Sequence, residues 1–151
     1  MRRLRGRSAL VLGVLLLVGC NNAEKQAQEK KTFFEALRKG DTTQVRTLLE
    51  NGMDKEAKNE SERTPLMLAS LKGQEAVVTL LLEKGANINA TDPEGMTPLL
   101  WAAFGGNANV VKALLAKGAD VHAKDKQGQG ALEWAKDHSE ALQVLKQAGA
   151  K

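Results

Sequence analysis

The chain has 151 residues, 42% hydrophobic and 26% charged, which suits one folded domain with a modest core. Aromatic residues make up only 3%, with no Tyr, and this counts against a sandwich or barrel built on aromatic and β-branched side chains. The formal charge of +4 gives little support to a nucleic-acid partner. Arg2, Arg3, Arg5 and Arg7 precede an apolar run, and without them eighteen basic residues face eighteen acidic ones.

Residues 1–19 have the order of an export signal. The basic stretch Met1 to Arg7 leads into the apolar run Ala9 to Val18, which is shorter than the roughly 20 residues a membrane span needs. Leu17-Val18-Gly19-Cys20 resembles the bacterial lipobox, in which the Cys thiol is acylated and the peptide is cut just before it. Residues 1–19 are therefore expected to be a lipoprotein signal peptide and Cys20 the lipidation site. An ordinary signal peptide, or an uncleaved anchor with an unrelated Cys, is the plainer alternative. Cys20 is the only cysteine, so no intramolecular disulfide can form. The lipobox resemblance implies attachment to the membrane through lipid on Cys20, in the bacterial envelope. Asn21 after the Cys implies, by resemblance to Gram-negative lipoproteins, the periplasmic face of the outer membrane. Residues 20–31 then read as the lipidated Cys and a polar tether, without Gly or Pro, that turns helical near Thr32. Fully extended, the eleven residues after Cys20 reach at most about 40 Å.

From Thr32 onward, a shift of 33 residues brings like residues into register. Thr64-Pro65-Leu66 returns as Thr97-Pro98-Leu99, and the leucine column continues to Leu132. Ala36, Ala69, Ala102 and Ala135 share one position, while Gly40, Gly73 and Gly106 share another. The same shift aligns Gly52, Gly85 and Gly118, then Val45, Val78 and Val111, then Leu48, Leu81 and Leu114. Within a unit, Thr64 or Thr97 caps a short helix whose first turn accepts Pro65 or Pro98. Leu66 to Leu71 forms that helix and Gly73 breaks it. A second helix runs from Gln74 to Lys84, with Val77, Val78, Leu81 and Leu82 at helical spacing. Gly85 and Gly118 stand where a left-handed C-cap is needed.

This period, the Thr-Pro-Leu-x-x-Ala core and the closing Gly-Ala-Asn/Asp-Ile/Val-Asn/His-Ala resemble the ankyrin repeat. The resemblance implies an all-α solenoid over residues 32–151, of about four stacked repeats, each a helix-turn-helix plus a β-turn or hairpin. The repeats span about 32–58, 59–91, 92–124 and 125–151, with degenerate capping repeats at both ends. The family's usual His after Thr-Pro-Leu is replaced by Met67, Leu100 and Glu133, which removes its bonds to neighbouring turns. The first repeat has Lys31-Thr32-Phe33 in place of Thr-Pro-Leu, and the last is two residues short around Asp137 to Glu140.

Catalytic chemistry finds no foothold, and neither a metal nor a cofactor is expected. His122 and His138 are the only histidines and fall in different parts of the unit; no nucleophile–His–acid set accompanies them. His122 takes the position of Asn89, where a polar side chain commonly ties the turn. Trp101 and Trp134, one repeat apart, could form a ligand box, but their position is an apolar site of the first helix, so packing between repeats is expected. The resemblance places recognition at the turn tips and the outer end of the short helix. The partner-binding candidates there are Arg63, Leu71, Lys72, Glu94, Met96, Phe104, Lys124, Lys126 and Gln129. Leu71, Met96 and Phe104 are apolar at positions expected to face solvent, as partner anchors would be, although Phe104 could instead pack on Leu71 or the next repeat.

The resulting expectation is a monomeric, membrane-anchored module that binds an envelope protein or a delivered toxin, sequestering, inhibiting or scaffolding it. Immunity and stress-protection roles are the two that similar bacterial lipoproteins imply. A structural envelope component without a discrete partner is the alternative, and a small enzyme or metal-binding lipoprotein is a third.

Overall fold

The computed structural model describes residues 8–151, with side chains from Asn21 onward. The expected acylation at the Cys20 side chain, and the first seven residues of the expected signal segment, lie outside the described residues. Eight α-helices follow one another, and no strand forms among the described residues. They are α1 (Ser8–Lys39), α2 (Thr42–Glu50), α3 (Pro65–Leu71), α4 (Glu75–Glu83), α5 (Pro98–Phe104), α6 (Ala108–Ala116), α7 (Ala131–Trp134) and α8 (Ser139–Gln147). Odd-numbered helices pack on one another to form an inner layer, even-numbered ones form the outer layer, and each pair is joined within its repeat. This is the stacked solenoid that the register implies.

The aligned columns become the core. Ala36, Ala69 and Ala102 on the inner helices, and Ala135 at the C-cap of α7, are all fully buried, where a small side chain lets neighbouring helices approach closely. Val45, Val78 and Val111 are likewise buried on the outer helices, joined by Leu81, Leu114 and Leu145. Thr64 and Thr97 cap α3 and α5 by accepting the backbone N–H of Met67 and Leu100. The histidine replacements still make local bonds in two repeats: the Met67 thioether accepts from Thr64 N–H, and Glu133 Oε2 accepts from Gly130 N–H at 2.8 Å.

A second device joins successive repeats. The residues that open α4, α6 and α8 (Gln74, Asn107 and His138) lie against the end of the inner helix of the preceding repeat. Asn107 Nδ2 donates to the carbonyl oxygens of Ser70 (2.9 Å) and Leu71 (2.8 Å) at the end of α3, where the helix can no longer supply i+4 partners. His138 Nε2 lies 3.2 Å from the Phe104 carbonyl at the end of α5. Gly73 has a φ of 69°, and a Cβ there would collide with Asn107, so this contact needs glycine on both counts. On the far edge, Asn87 N–H donates to Glu56 Oε1 and Asp120 N–H to Asn89 Oδ1, so the polar residue expected to tie the turn ties it to the next repeat.

The N-terminal segment differs from expectation. Residues 21–31 are helical throughout and continuous with the inner helix of the first repeat, rather than becoming helical only near Thr32. Thr32 and Glu35 have the spacing of a capping box, but the Thr32 hydroxyl instead donates to the Gln28 carbonyl one turn back. The preceding residues are mostly good helix formers with no Gly or Pro, so α1 runs on through them. Lys25 and Glu29, 3.8 Å apart, add an exposed i,i+4 pair. At a rise of 1.5 Å per residue these eleven residues cover about 16 Å instead of the extended reach. No helix among the described residues is long and apolar enough to cross a membrane.

Asn107→Ala removes two bonds to helix-end carbonyls and is expected to cost about 1–3 kcal/mol. The urea midpoint checks this, with Asn109→Ala on the exposed side of α6 shifting it by less than about 0.5 kcal/mol.

Candidate protein-binding face

Three turn tips precede the inner helices α3, α5 and α7, and each is built around one side chain. Asn59 Oδ1 accepts the N–H groups of Ser61 and Arg63; Asp92 Oδ1 accepts those of Glu94 and Met96; Asp125 Oδ1 accepts those of Gln127 and Gln129. Backbone bonds close the same turns, from Asn59 N–H to Arg63 O, Asp92 N–H to Met96 O and Asp125 N–H to Gln129 O. The tips are thus turns held by an Asx side chain, with no strand-paired hairpin. Lys126 N–H donates to Glu94 O at 2.9 Å, joining the third tip to the second. Gly95, at φ 81°, sits so close to this bond that a Cβ would lie 3.0 Å from Lys126 N.

The second carboxylate oxygen of each aspartate holds a tryptophan. Trp101 Nε1–H donates to Asp92 Oδ2 at 3.0 Å, and Trp134 Nε1–H donates to Asp125 Oδ2 at 3.1 Å. The carboxylate therefore ties the tip to the inner helix that follows it. In the second repeat, Asn59 and Leu68 replace the Asp and the Trp together, so the tip clamp remains and the side-chain tie is absent. Asp92 is buried and its charge has one cation near it: Arg63 Nε lies 3.8 Å from Asp92 Oδ2, with the guanidinium carbon 4.1 Å from the Trp101 ring centroid.

Phe104 completes an aromatic cluster, standing edge-on to Trp101 (5.7 Å between centroids) and to Trp134 (5.4 Å). It is 46% exposed and is the one large hydrophobic side chain left open among the described residues. Two grooves lie along this face. One of about 380 Å³ is lined by Met96, Trp101, Phe104 and Trp134, with Glu94 and Asp125 as its charges. The other, about 720 Å³, runs between α1 and the first tip; Phe34 and Leu68 line it with Lys30, Lys31, Arg38 and Lys72. The first groove carries two acids and no base, whereas the second has four bases beside Glu35 and Glu60.

Of the residues expected to bind a partner, Lys72, Glu94, Phe104, Lys124, Lys126 and Gln129 are exposed, and Arg63 and Leu71 are half-buried. Met96 is a correction: it was expected at the surface and is only 3% exposed, because its apolar side chain is buried and shares a groove with the two tryptophans, whereas Gln129 in the same column stays exposed. Phe104 both packs on the next repeat and stays open, so the two readings of it are compatible. Arg63 is engaged with Asp92 and Trp101 and serves the fold first. The expected packing role of Trp101 and Trp134 is realised, although Trp134 also lines a groove. Sequence reading missed the basic groove wall on α1. Arg38 falls in the same column as Leu71 and Phe104, and following that column back by one repeat would have found it. His122 is exposed, and no group of three or more His, Cys, Asp or Glu able to hold a metal occurs among the described residues.

A family model described as Ankyrin repeats (3 copies) matches residues 6–92 and 86–151. The chain belongs to the ankyrin-repeat family. Proteins of this family are generally protein–protein interaction modules and typically binding scaffolds without catalytic activity. No curated protein matches the chain.

Asp92→Ala leaves two backbone N–H groups, the Trp101 indole and Arg63 without their acceptor, and is expected to destabilise by about 2–4 kcal/mol. Asp92→Asn, which keeps the tip clamp as Asn59 does, should recover part of that loss in a urea titration.

Proposed function

We propose that this protein is a lipid-anchored module of the bacterial envelope that holds another protein on its inner-helix face and so inhibits or scaffolds it. The observation that carries the reading is Phe104, an aromatic side chain left open at the centre of a face otherwise built from well-packed repeats. An apolar anchor of this kind, sharing its groove with Glu94, Asp125, Gln127 and Gln129, has the composition of a binding hot spot with its polar rim. The repeat architecture supports the same reading, since its stacked tips offer an extended surface on a rigid support. Binding needs no rearrangement of the backbone, because every tip is already clamped by its Asx side chain and Phe104 is wedged between two tryptophans.

The anchor follows from Leu17-Val18-Gly19-Cys20, and the helical stretch after it would hold the repeats close to the membrane surface. Cys20→Ser is expected to abolish incorporation of labelled fatty acid and to move the protein from the membrane to the soluble fraction. Retention of label in that variant would remove lipidation at Cys20 from the proposal.

For the binding face, the full chain in a non-ionic detergent is fixed to a support and exposed to envelope extract. A protein retained in stoichiometric amount and lost with Phe104→Glu plus Lys72→Glu, at unchanged circular dichroism, is the expected result. Equal retention by the variant would place binding elsewhere on the surface.

A further inference from the structure

The repeat register sets two equivalent positions side by side. At the junction of the second and third repeats, Arg63 lies over Trp101, with its guanidinium carbon 4.1 Å from the ring centroid. Its Nε is 3.8 Å from Asp92 Oδ2, the same oxygen that accepts the Trp101 indole N–H. One repeat further on, the receiving half of this arrangement is rebuilt, with Asp125 Oδ2 accepting the Trp134 indole N–H at 3.1 Å. Position 96, which corresponds to Arg63, holds Met and brings no charge. Asp125 is 7% exposed, and among the described residues no Lys or Arg forms an ion pair with it. The groove of about 380 Å³ opens at this point, and its two charged lining residues, Glu94 and Asp125, are both acidic.

We propose that this groove receives an arginine side chain of the partner protein, laid over Trp134 and beside Asp125 as Arg63 is laid over Trp101 and beside Asp92. The inference rests on the inner-helix face being the binding surface and names the chemistry that face recognises. Arginine fits better than lysine because its flat guanidinium stacks on the indole while its forked donors reach more than one acceptor. Asp125, Glu94 and the Gln129 side chain line the groove as such acceptors. The pocket at the other end of the face carries Lys30, Lys31, Arg38 and Lys72, so a basic side chain is directed to the acidic end.

The test uses the two tryptophans of the chain as reporters, following the indole N–H signals of Trp101 and Trp134 by NMR on the full chain in a non-ionic detergent. The probes are the capped tripeptides Gly-Arg-Gly, Gly-Lys-Gly and Gly-citrulline-Gly. The arginine peptide is expected to shift Trp134 saturably and more than Trp101, with half-saturation at a concentration at least fivefold lower than for either of the others. Met96→Arg supplies the side chain from within and should weaken peptide binding tenfold or more, while moving the Trp134 signal in the same direction without peptide. If that variant fails to fold, Glu94→Lys at the exposed lip should weaken binding at least threefold. No saturable shift at Trp134, or an equal response to citrulline, overturns the inference. A partner captured through Phe104 while Trp134 stays silent to the arginine peptide would overturn this assignment alone. A titrating Trp134 with no change of capture in the Phe104 variant would instead count against the wider reading.

Discussion

Close packing of the inner helices is the constraint on which the other features rest. α1, α3, α5 and α7 stack in sequence, and each carries a fully buried alanine at the same register position, within the helix in the first three and at the C-cap in α7. A larger side chain in that column would force neighbouring repeats apart, and overpacking of this kind typically costs about 1–3 kcal/mol. The separation it sets is what allows Asn107 to reach the carbonyls of α3 and Trp134 to touch Phe104 across the gap between repeats. No single repeat has enough apolar surface to close a core alone, so these contacts between neighbours hold the fold.

The same contacts shape the face proposed for partner binding. An aspartate that clamps a tip also anchors a tryptophan of the following inner helix, so the tip cannot move without disturbing the core. Phe104 stands between two such tryptophans and is held at a fixed angle although it is nearly half exposed. Rigidity at the tips reduces the ordering cost of association, the part of binding that buried area does not reveal. The opposite charge of the two grooves gives the face a polarity along the stack, and with it a preferred direction for whatever crosses it.

Much of the fold was legible from the columns, because a repeat states its own structure several times. Thr-Pro at the helix starts, the glycines beyond the helix ends and the buried alanine and valine positions all stand where the register puts them. The site was less legible. Met96 reads as surface because its column holds Arg63 and Gln129, two polar residues, and only the tryptophans beside it explain its burial. The pairing of Asp92 with Trp101 spans nine residues and both repeats that carry it, yet it shows in sequence only once Asn59 and Leu68 are seen to change together. The helical course of residues 21–31 was hidden by their polarity and by the capping-box spacing of Thr32 and Glu35, which points to a helix start there; the lack of Gly or Pro before Thr32 is the signal that the helix runs through.

The bonds that Asn107 makes to the end of α3 have a consequence for how such a chain can lengthen. Donor and acceptor belong to different repeats, so each repeat carries one half of the joint it shares with its predecessor and one half of the next. A gene duplication of thirty-three codons therefore restores both halves wherever its breakpoints fall, and adds a unit already fitted to its neighbours. A single inserted residue has no such freedom, since it moves one half out of reach of the other. The two-residue shortening before α8 is accommodated because the imidazole of His138 still reaches the Phe104 carbonyl. The architecture thus tolerates growth by whole units far more readily than drift by single ones.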